Sequence, residues 1–334
     1  MRKKVYIFMA TLLLLGATML LGCSSNEKNT ETKTTTVGNE DKEEQIYKIG
    51  VCQLIEHPAL DAAYDGFVDG LADAGYVDGV NIVIDKNNAQ GDQSNAVTIA
   101  SKLVNNESDL ILAIATPAAQ AVANATKDIP ILITAVTDPA IVGIVETNEV
   151  PGGNVTGTSD MTPIEEQISL FAEILPDAKK IAIMYCSSET NSEIQAQVAI
   201  EAAKELGIET MIATVSGTNE IQQVTQSLVG KVDAIFIPTD NMLTDGMATV
   251  SLVATENGIP IICSEEGGVN MGALATRGIS YYELGKQTAE MAVKVLRGEA
   301  EPATMSIEYS NKVSFTYNKE IAEALGITIP EDFE

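Results

Sequence analysis

Residues 109–136 read DLILAIATPAAQAVANATKDIPILITAV. The flanking runs, DLILAIAT and IPILITAV, are apolar without polar alternation, which is the pattern of parallel strands buried on both faces. Thr116-Pro117 between them marks a helix start, because Thr is a favoured cap and Pro is favoured in the first helical position. Strand, helix, strand is the unit of an α/β fold. Moving outward, YKIGVCQL (47–54) and NIVID (81–85) read as further sheet-centre strands. Leu60, Ala63, Phe67, Leu71 and Ala74 recur at spacings of three and four, as do Val97, Ala100 and Val104, so each set lies on one helical face. The prediction is a doubly wound parallel sheet.

The same grammar then restarts. Ile164, Ile168, Phe171 and Leu175 give a helix stopped by Pro176, then come the strand KIAIMYC (180–186) and a helix over 191–207. ETMIATV, a helix near 220–228, AIFIPTD, a helix to Gly258 and PIICSEE complete a second unit, so two α/β units span about 46–160 and 161–278. After them, ALATRGIS reads as a strand, YYELGKQTAEMAVKVLRG (281–298) as an amphipathic helix, MSIEYSNKVSFTYN as an extended stretch and KEIAEALGI as a final helix. Leftover pieces of this kind suit a chain that crosses back between two lobes.

The chain has 334 residues, 45% of them hydrophobic, and a formal net charge of −27. That surplus of acid argues against a nucleic-acid partner, whose phosphates need a positive surface. One histidine, His57, and four cysteines without a C-x-x-C pair supply no structural zinc site. Residues 1–22 combine Arg2-Lys3-Lys4, an apolar run and Leu20-Leu21-Gly22-Cys23, the order of a bacterial signal peptide. The pattern resembles a lipobox, which implies an acylated Cys23, for instance carrying palmitate, and anchorage to the outer face of the cell membrane. An uncleaved membrane helix is the alternative, since the apolar run is near the spanning minimum. Residues 24–45 are almost free of apolar side chains and read as a flexible tether. Loss of three cationic residues with the signal would take the net charge to −30. Cys52, Cys186 and Cys263 lie in apolar runs and read as small buried hydrophobes.

Six runs in order carry a family likeness: IEHPALD (55–61), ATPAAQA (115–121), AVTDP (135–139), NVTGTSD (154–160), IPTDN (237–241) and GISYYELGKQTAEMAVKVLRG (278–298). Together they resemble the ABC-transporter substrate-binding lipoproteins of the tryptophan and tyrosine uptake type. The resemblance implies a type I periplasmic-binding-protein fold: two Rossmann-like lobes joined by a three-segment hinge, with one solute between them. It places lobe one at 46–159 plus 281–307 and lobe two at 160–280 plus 308–334. The crossovers fall at 154–160, 276–280 and 308–314. It also implies a monomer that delivers an aromatic amino acid to a membrane permease with its ATPase, without a cofactor.

In open α/β sheets, ligands sit outside the carboxyl ends of the strands. The candidate binding residues are therefore Gln53, Glu56, Thr116, Pro117, Ala118, Thr137, Asp138, Ser159 and Asp160 in the first lobe. Tyr185, Asn191, Thr239, Asp240 and Glu265 are the candidates in the second. The helix opened by Thr116-Pro117 offers free N–H groups to a carboxylate, against the plainer reading of an ordinary capped helix. An ammonium group needs an anion, for which Glu56, Asp138, Asp160 and Asp240 are available. Asp138 and Asp240 are equally placed to cap helices. Tyr185, Tyr281 and Tyr282 could stack on an aromatic solute or pack at the hinge, and His57 reads as a loop hydrogen-bonder.

An enzyme is the competing class. One histidine without G-x-S-x-G, no phosphate-binding G-x-x-x-x-G-K-[ST] loop and no G-x-G-x-x-G after the first strand leave it without a catalytic motif. A receptor for another solute, such as a branched-chain amino acid, a sugar or a nucleoside, and a surface adhesin lipoprotein are the remaining alternatives.

Overall fold

A computed structural model describes residues 46–310, 312–330 and 333. The expected signal peptide (1–22), Cys23 and the tether lie outside the described residues. The first lobe begins β1 (Tyr47–Gln53), α1 (Pro58–Asp73), β2 (Ile82–Asn88), α2 (Gln93–Asn105), β3 (Leu110–Ile114), α3 (Thr116–Ala125), β4 (Ile131–Val136) and β5 (Val155–Ser159). The chain then enters the second lobe through α4 (Ile164–Ile174), β6 (Lys180–Cys186), α5 (Thr190–Glu205), β7 (Glu209–Val215), α6 (Ile221–Leu228) and β8 (Ala234–Ile237). It continues with α7 (Asn241–Asp245), α8 (Met247–Glu256), β9 (Ile261–Cys263), α9 (Glu266–Asn270) and β10 (Ala275–Ile279). Next come α10 (Tyr281–Leu296), β11 (Glu308–Tyr309), β12 (Val313–Tyr317) and α11 (Lys319–Leu325).

Two six-stranded sheets result, ordered β11-β5-β4-β3-β1-β2 and β12-β10-β9-β8-β6-β7. Every pairing is parallel except β10 with β12. The strand order in each sheet leaves β2 and β7 at an edge. NIVID is therefore not a sheet-centre strand: Val83 is half exposed because no strand lies beyond β2. The extended stretch near residue 310 divides, with β11 joining the first sheet and β12 the second. Glu308 and Tyr309 thus pair within lobe one, so the boundary expected at 307/308 moves past Tyr309.

The apolar faces of α1 and α10 cover the first sheet. Leu60, Ala63, Phe67 and Leu71 of α1 are buried, as are Leu284, Ala289 and Ala292 of α10. Each large apolar side chain so buried contributes about 1.5–3 kcal/mol. The two helices approach until Gly66 lies against Tyr282 O and Gly285 against Ala63 O. Tyr282 Oη donates to Asp69 (2.8 Å) and Lys286 pairs with Asp73 (2.7 Å) along the exposed side. A buried amide secures the crossovers: Gln167 Nε2 donates to Ser264 O (3.1 Å) and Arg277 O (2.7 Å), and its Oε1 accepts from Ser264 Oγ (2.9 Å).

Candidate functional site

Parallel topology sends the carboxyl end of each strand, and the amino end of the following helix, toward the other lobe. The residues beside those helix starts are His57 before α1, Ala115 before α3, Glu189 before α5, Asp240 before α7, Glu265 before α9 and Ser280 before α10. Of these only Asp240 and Ser280 cap their helices with a side chain. The helix expected to be capped by Thr116 starts at that residue instead, with Ala115 in the cap position at φ 80 and ψ 152. This backbone region is nearly restricted to glycine and is found chiefly at functional sites. Pro117 has no N–H, so the first turn presents the N–H groups of Thr116 and Ala118 at the positive end of α3.

Four carboxylates, Asp160, Glu189, Asp240 and Glu265, are buried beside this junction, and among the described residues none forms an ion pair. Two are committed to holding loops. Asp240 accepts from Cys186 N (2.6 Å) and Leu243 N (2.8 Å), while Glu189 accepts from Asn241 N and Nδ2 and from Met242 N. Burial raises both above the usual carboxylate range, and mutual repulsion adds to it at Asp240, while the N–H donors pull both back. The other two each keep a free oxygen. Asp160 Oδ2 accepts from Tyr281 Oη (2.9 Å) and Glu265 Oε1 from Thr244 Oγ1 (2.8 Å), leaving Asp160 Oδ1 and Glu265 Oε2 buried without a partner among the described residues. Burial lifts Asp160 to about 6 and Glu265 to about 8.

Gln53 Oε1, His57 Nδ1, Asn191 Oδ1 and Thr239 Oγ1 are likewise buried and unpartnered among the described residues. His57 sits between the lobes, its Nε2 3.3 Å from Asn241 Oδ1. Because Asn241 Nδ2 is committed to Glu189, the proton belongs on His57 Nε2 and Nδ1 is an acceptor; burial lowers the imidazole to about 4, so it is neutral at pH 7. With both carboxyls ionised, as a cationic partner would favour, five of these six atoms can only accept. Buried acceptors left unmatched are costly, so the junction is built for a group rich in donors.

Other sequence candidates lie elsewhere. Glu56 is exposed, since the chain turns after β1 and buries His57 instead. Asp138 organises its own loop through Ala140 N, Ile141 N and Asn148 Nδ2. Tyr185 packs in the second-lobe core, and Ser159 donates to Thr137 O (2.6 Å). Thr116, Pro117 and Ala118 are buried at the start of α3. The candidate list omits Glu189, Gln195, Asn241 and Thr244, all buried. Their signal is a polar residue on the inward face of a helix's first turns, which resembles capping chemistry until the other lobe is in place. Cys52, Cys186 and Cys263 are free and buried.

A narrow recess of about 20 Å³ lies between Leu54, Ile55 and Pro117 of the first lobe and Ser188, Glu189 and Met242 of the second. A larger one, about 720 Å³, is at the opposite end of lobe two, and neither is lined by a residue that carries an unpartnered atom.

Residues 48–333 match the family model for ABC transporter substrate binding proteins. The chain belongs to that family. This substrate-binding protein is 48% identical over 286 residues, 86% of its length and 82% of the relative's, to a tyrosine-binding protein of Clostridioides difficile. Its structure matches an ABC domain from Streptococcus pneumonia in complex with L-Trp at TM-score 0.84 and 41% identity, covering 86% of this chain and 97% of that one. A ligand-free, open structure of a substrate-binding protein with adhesive properties from Clostridium difficile matches at only 0.67, despite 47% identity and the same coverage, 86% and 97%. In overall geometry the chain is thus more similar to the tryptophan complex than to the open structure. The architecture is that of a type I periplasmic binding protein, and such proteins of ABC importers work outside the cytoplasm. Among the described residues no helix is long and apolar enough to cross a membrane.

Proposed function

We propose that the protein captures an aromatic amino acid, tyrosine or tryptophan, between its lobes and presents it to an ABC permease. The observation that carries this is the set of unpartnered buried acceptors, Asp160 and Glu265 among them. An ammonium group supplies three donors and one positive charge to exactly such a set, and the solute carboxylate docks at the α3 N-terminus on Thr116 N and Ala118 N. Asn191 and Thr239 complete the polar wall, and Tyr281, fixed by Asp160, is the available aromatic surface. No covalent step is involved. We further propose that the chain acts as a monomer, that residues 1–22 are removed and that acylated Cys23 tethers the domain to the membrane.

The sequence contains no Trp, so bound tryptophan would be the sole indole in the sample. Titrating tryptophan is expected to shift the indole emission, with tyrosine competing for the same site. Lack of binding of both at millimolar concentration would rule the assignment out.

Titration offers a second check. Unfolded Asp and Glu titrate near about 4, whereas Asp160 and Glu265 are raised to about 6 and about 8. A raised carboxyl favours the folded form when protonated, so its contribution is fully present below about pH 4 and is lost as the pH rises through the folded value. Ligand-free thermal stability is expected to fall between about pH 4 and 8, with a shallower slope in Asp160→Asn. Affinity should rise over the same window, because the solute ammonium needs ionised carboxylates. Equal pH slopes in wild type and variant would remove Asp160 from this role.

A further inference from the structure

Two carboxamides of the second lobe bind the first lobe directly. Gln195, fully buried on α5, accepts from Thr239 N (3.1 Å) through Oε1 and donates through Nε2 to Thr137 Oγ1 (2.9 Å), at the carboxyl end of β4. Asn241, at the start of α7, donates from Nδ2 to Glu189 Oε2 (2.6 Å) and accepts through Oδ1 from His57 Nε2 (3.3 Å). The pattern is shared: in each amide one end is held by a group of lobe two and the other reaches lobe one. At the rim, Gln93 Nε2 adds a contact to Ser188 O (3.3 Å).

We infer that Gln195 and Asn241 form a closure latch that sets affinity by stabilising the closed arrangement of the lobes. The amide ends that meet lobe one do so through Thr137 and His57, and both amides are oriented before closure by Glu189 and Thr239 N. Closure therefore orders few new groups, and each cross-lobe bond is made in the dry junction, where a hydrogen bond counts for more than in water. Separating the lobes breaks both at once. The inference rests on solute capture between the lobes, whatever the solute.

The latch differs from a solute-contacting residue in what its loss does. A latch residue changes the closing equilibrium, so its removal weakens every solute by the same factor and acts mainly on dissociation. Gln195→Leu and Asn241→Leu are each expected to raise the Kd for L-tyrosine and L-tryptophan about tenfold with an unchanged ratio between the two, measured by calorimetry. Thr137→Val should do the same from the other lobe, Thr137→Ser should restore most of the loss, and Thr137→Val combined with Gln195→Leu should be little worse than either alone. A solute-independent arm uses single-molecule energy transfer between dyes on exposed positions of the two lobes in the ligand-free protein. The short-distance population is expected to fall about tenfold in either leucine variant. An unaltered short-distance population, or Kd changes that differ between solutes, would overturn the latch. If wild-type protein binds neither solute, the energy-transfer arm still decides the latch while the aromatic assignment fails.

Discussion

Gly285→Ala is expected to cost about 3 kcal/mol or more and to lower the melting temperature by on the order of 5–10 °C, read by calorimetry of the ligand-free protein. In an exposed helix the change would gain about 0.5–1 kcal/mol, since Gly is a poor helix former. Here the added methyl would fall on Ala63 O and crowd Phe67 N, both backbone atoms of a buried helix that cannot rotate aside. The same collision awaits Gly66→Ala, whose methyl meets Tyr282 O. At Gly70 the methyl would come within 2.7 Å of Ala289 Cβ, a wider approach than the 2.0 Å at the other two, so Gly70→Ala should cost less. Steric terms thus outweigh propensity at all three glycines, in that order. A Gly285→Ala protein as stable as wild type would mean that α1 and α10 do not touch along this seam.

Asp160→Asn carries the largest expected effect on binding, a loss of about 100- to 4,000-fold in affinity for tyrosine or tryptophan, read by calorimetry. Taking one partner from a buried charge pair costs about 3–5 kcal/mol because the other charge stays desolvated, and each 1.4 kcal/mol is tenfold in Kd. Stability should move the other way. Without solute, Asp160 is fully buried with one free oxygen, so replacing it removes a desolvated carboxyl while Asn Oδ1 still accepts from Tyr281 Oη. The ligand-free melting temperature is expected to hold or rise. A parallel loss of stability and affinity would make Asp160 a structural residue of the hinge.

Strand and helix periodicity carried most of the fold. The unbroken apolar runs of β3 and β4 announced a parallel sheet, and the α1 and α10 faces were visible at helical spacing. What periodicity could not show was strand order: β2 reads like β1, yet it lies at an edge, and only the pairing of β1 with both neighbours reveals that. Buried polar groups were legible where a polar residue ends an apolar strand, as at Gln53, Asp160 and Thr239. Their role was not legible where two uses of one residue type compete. Asp138 and Asp240 look equally suited to a cation, and both turn out to hold backbone N–H groups. Glu265 and Asp160 differ from them in one buried oxygen each that lacks a partner among the described residues, a property of the assembled lobes.

The α1 and α10 seam joins Asp69 to Tyr282, 213 positions apart in sequence. As the chain emerges from the ribosome, the apolar face of α1 waits for nearly the whole polypeptide before it can be covered. Folding that depends on such distant pairs is slow, because loop closure must precede the contacts that reward it. The first lobe therefore stays unfinished until the last segments are made, and its early half must remain loose until then.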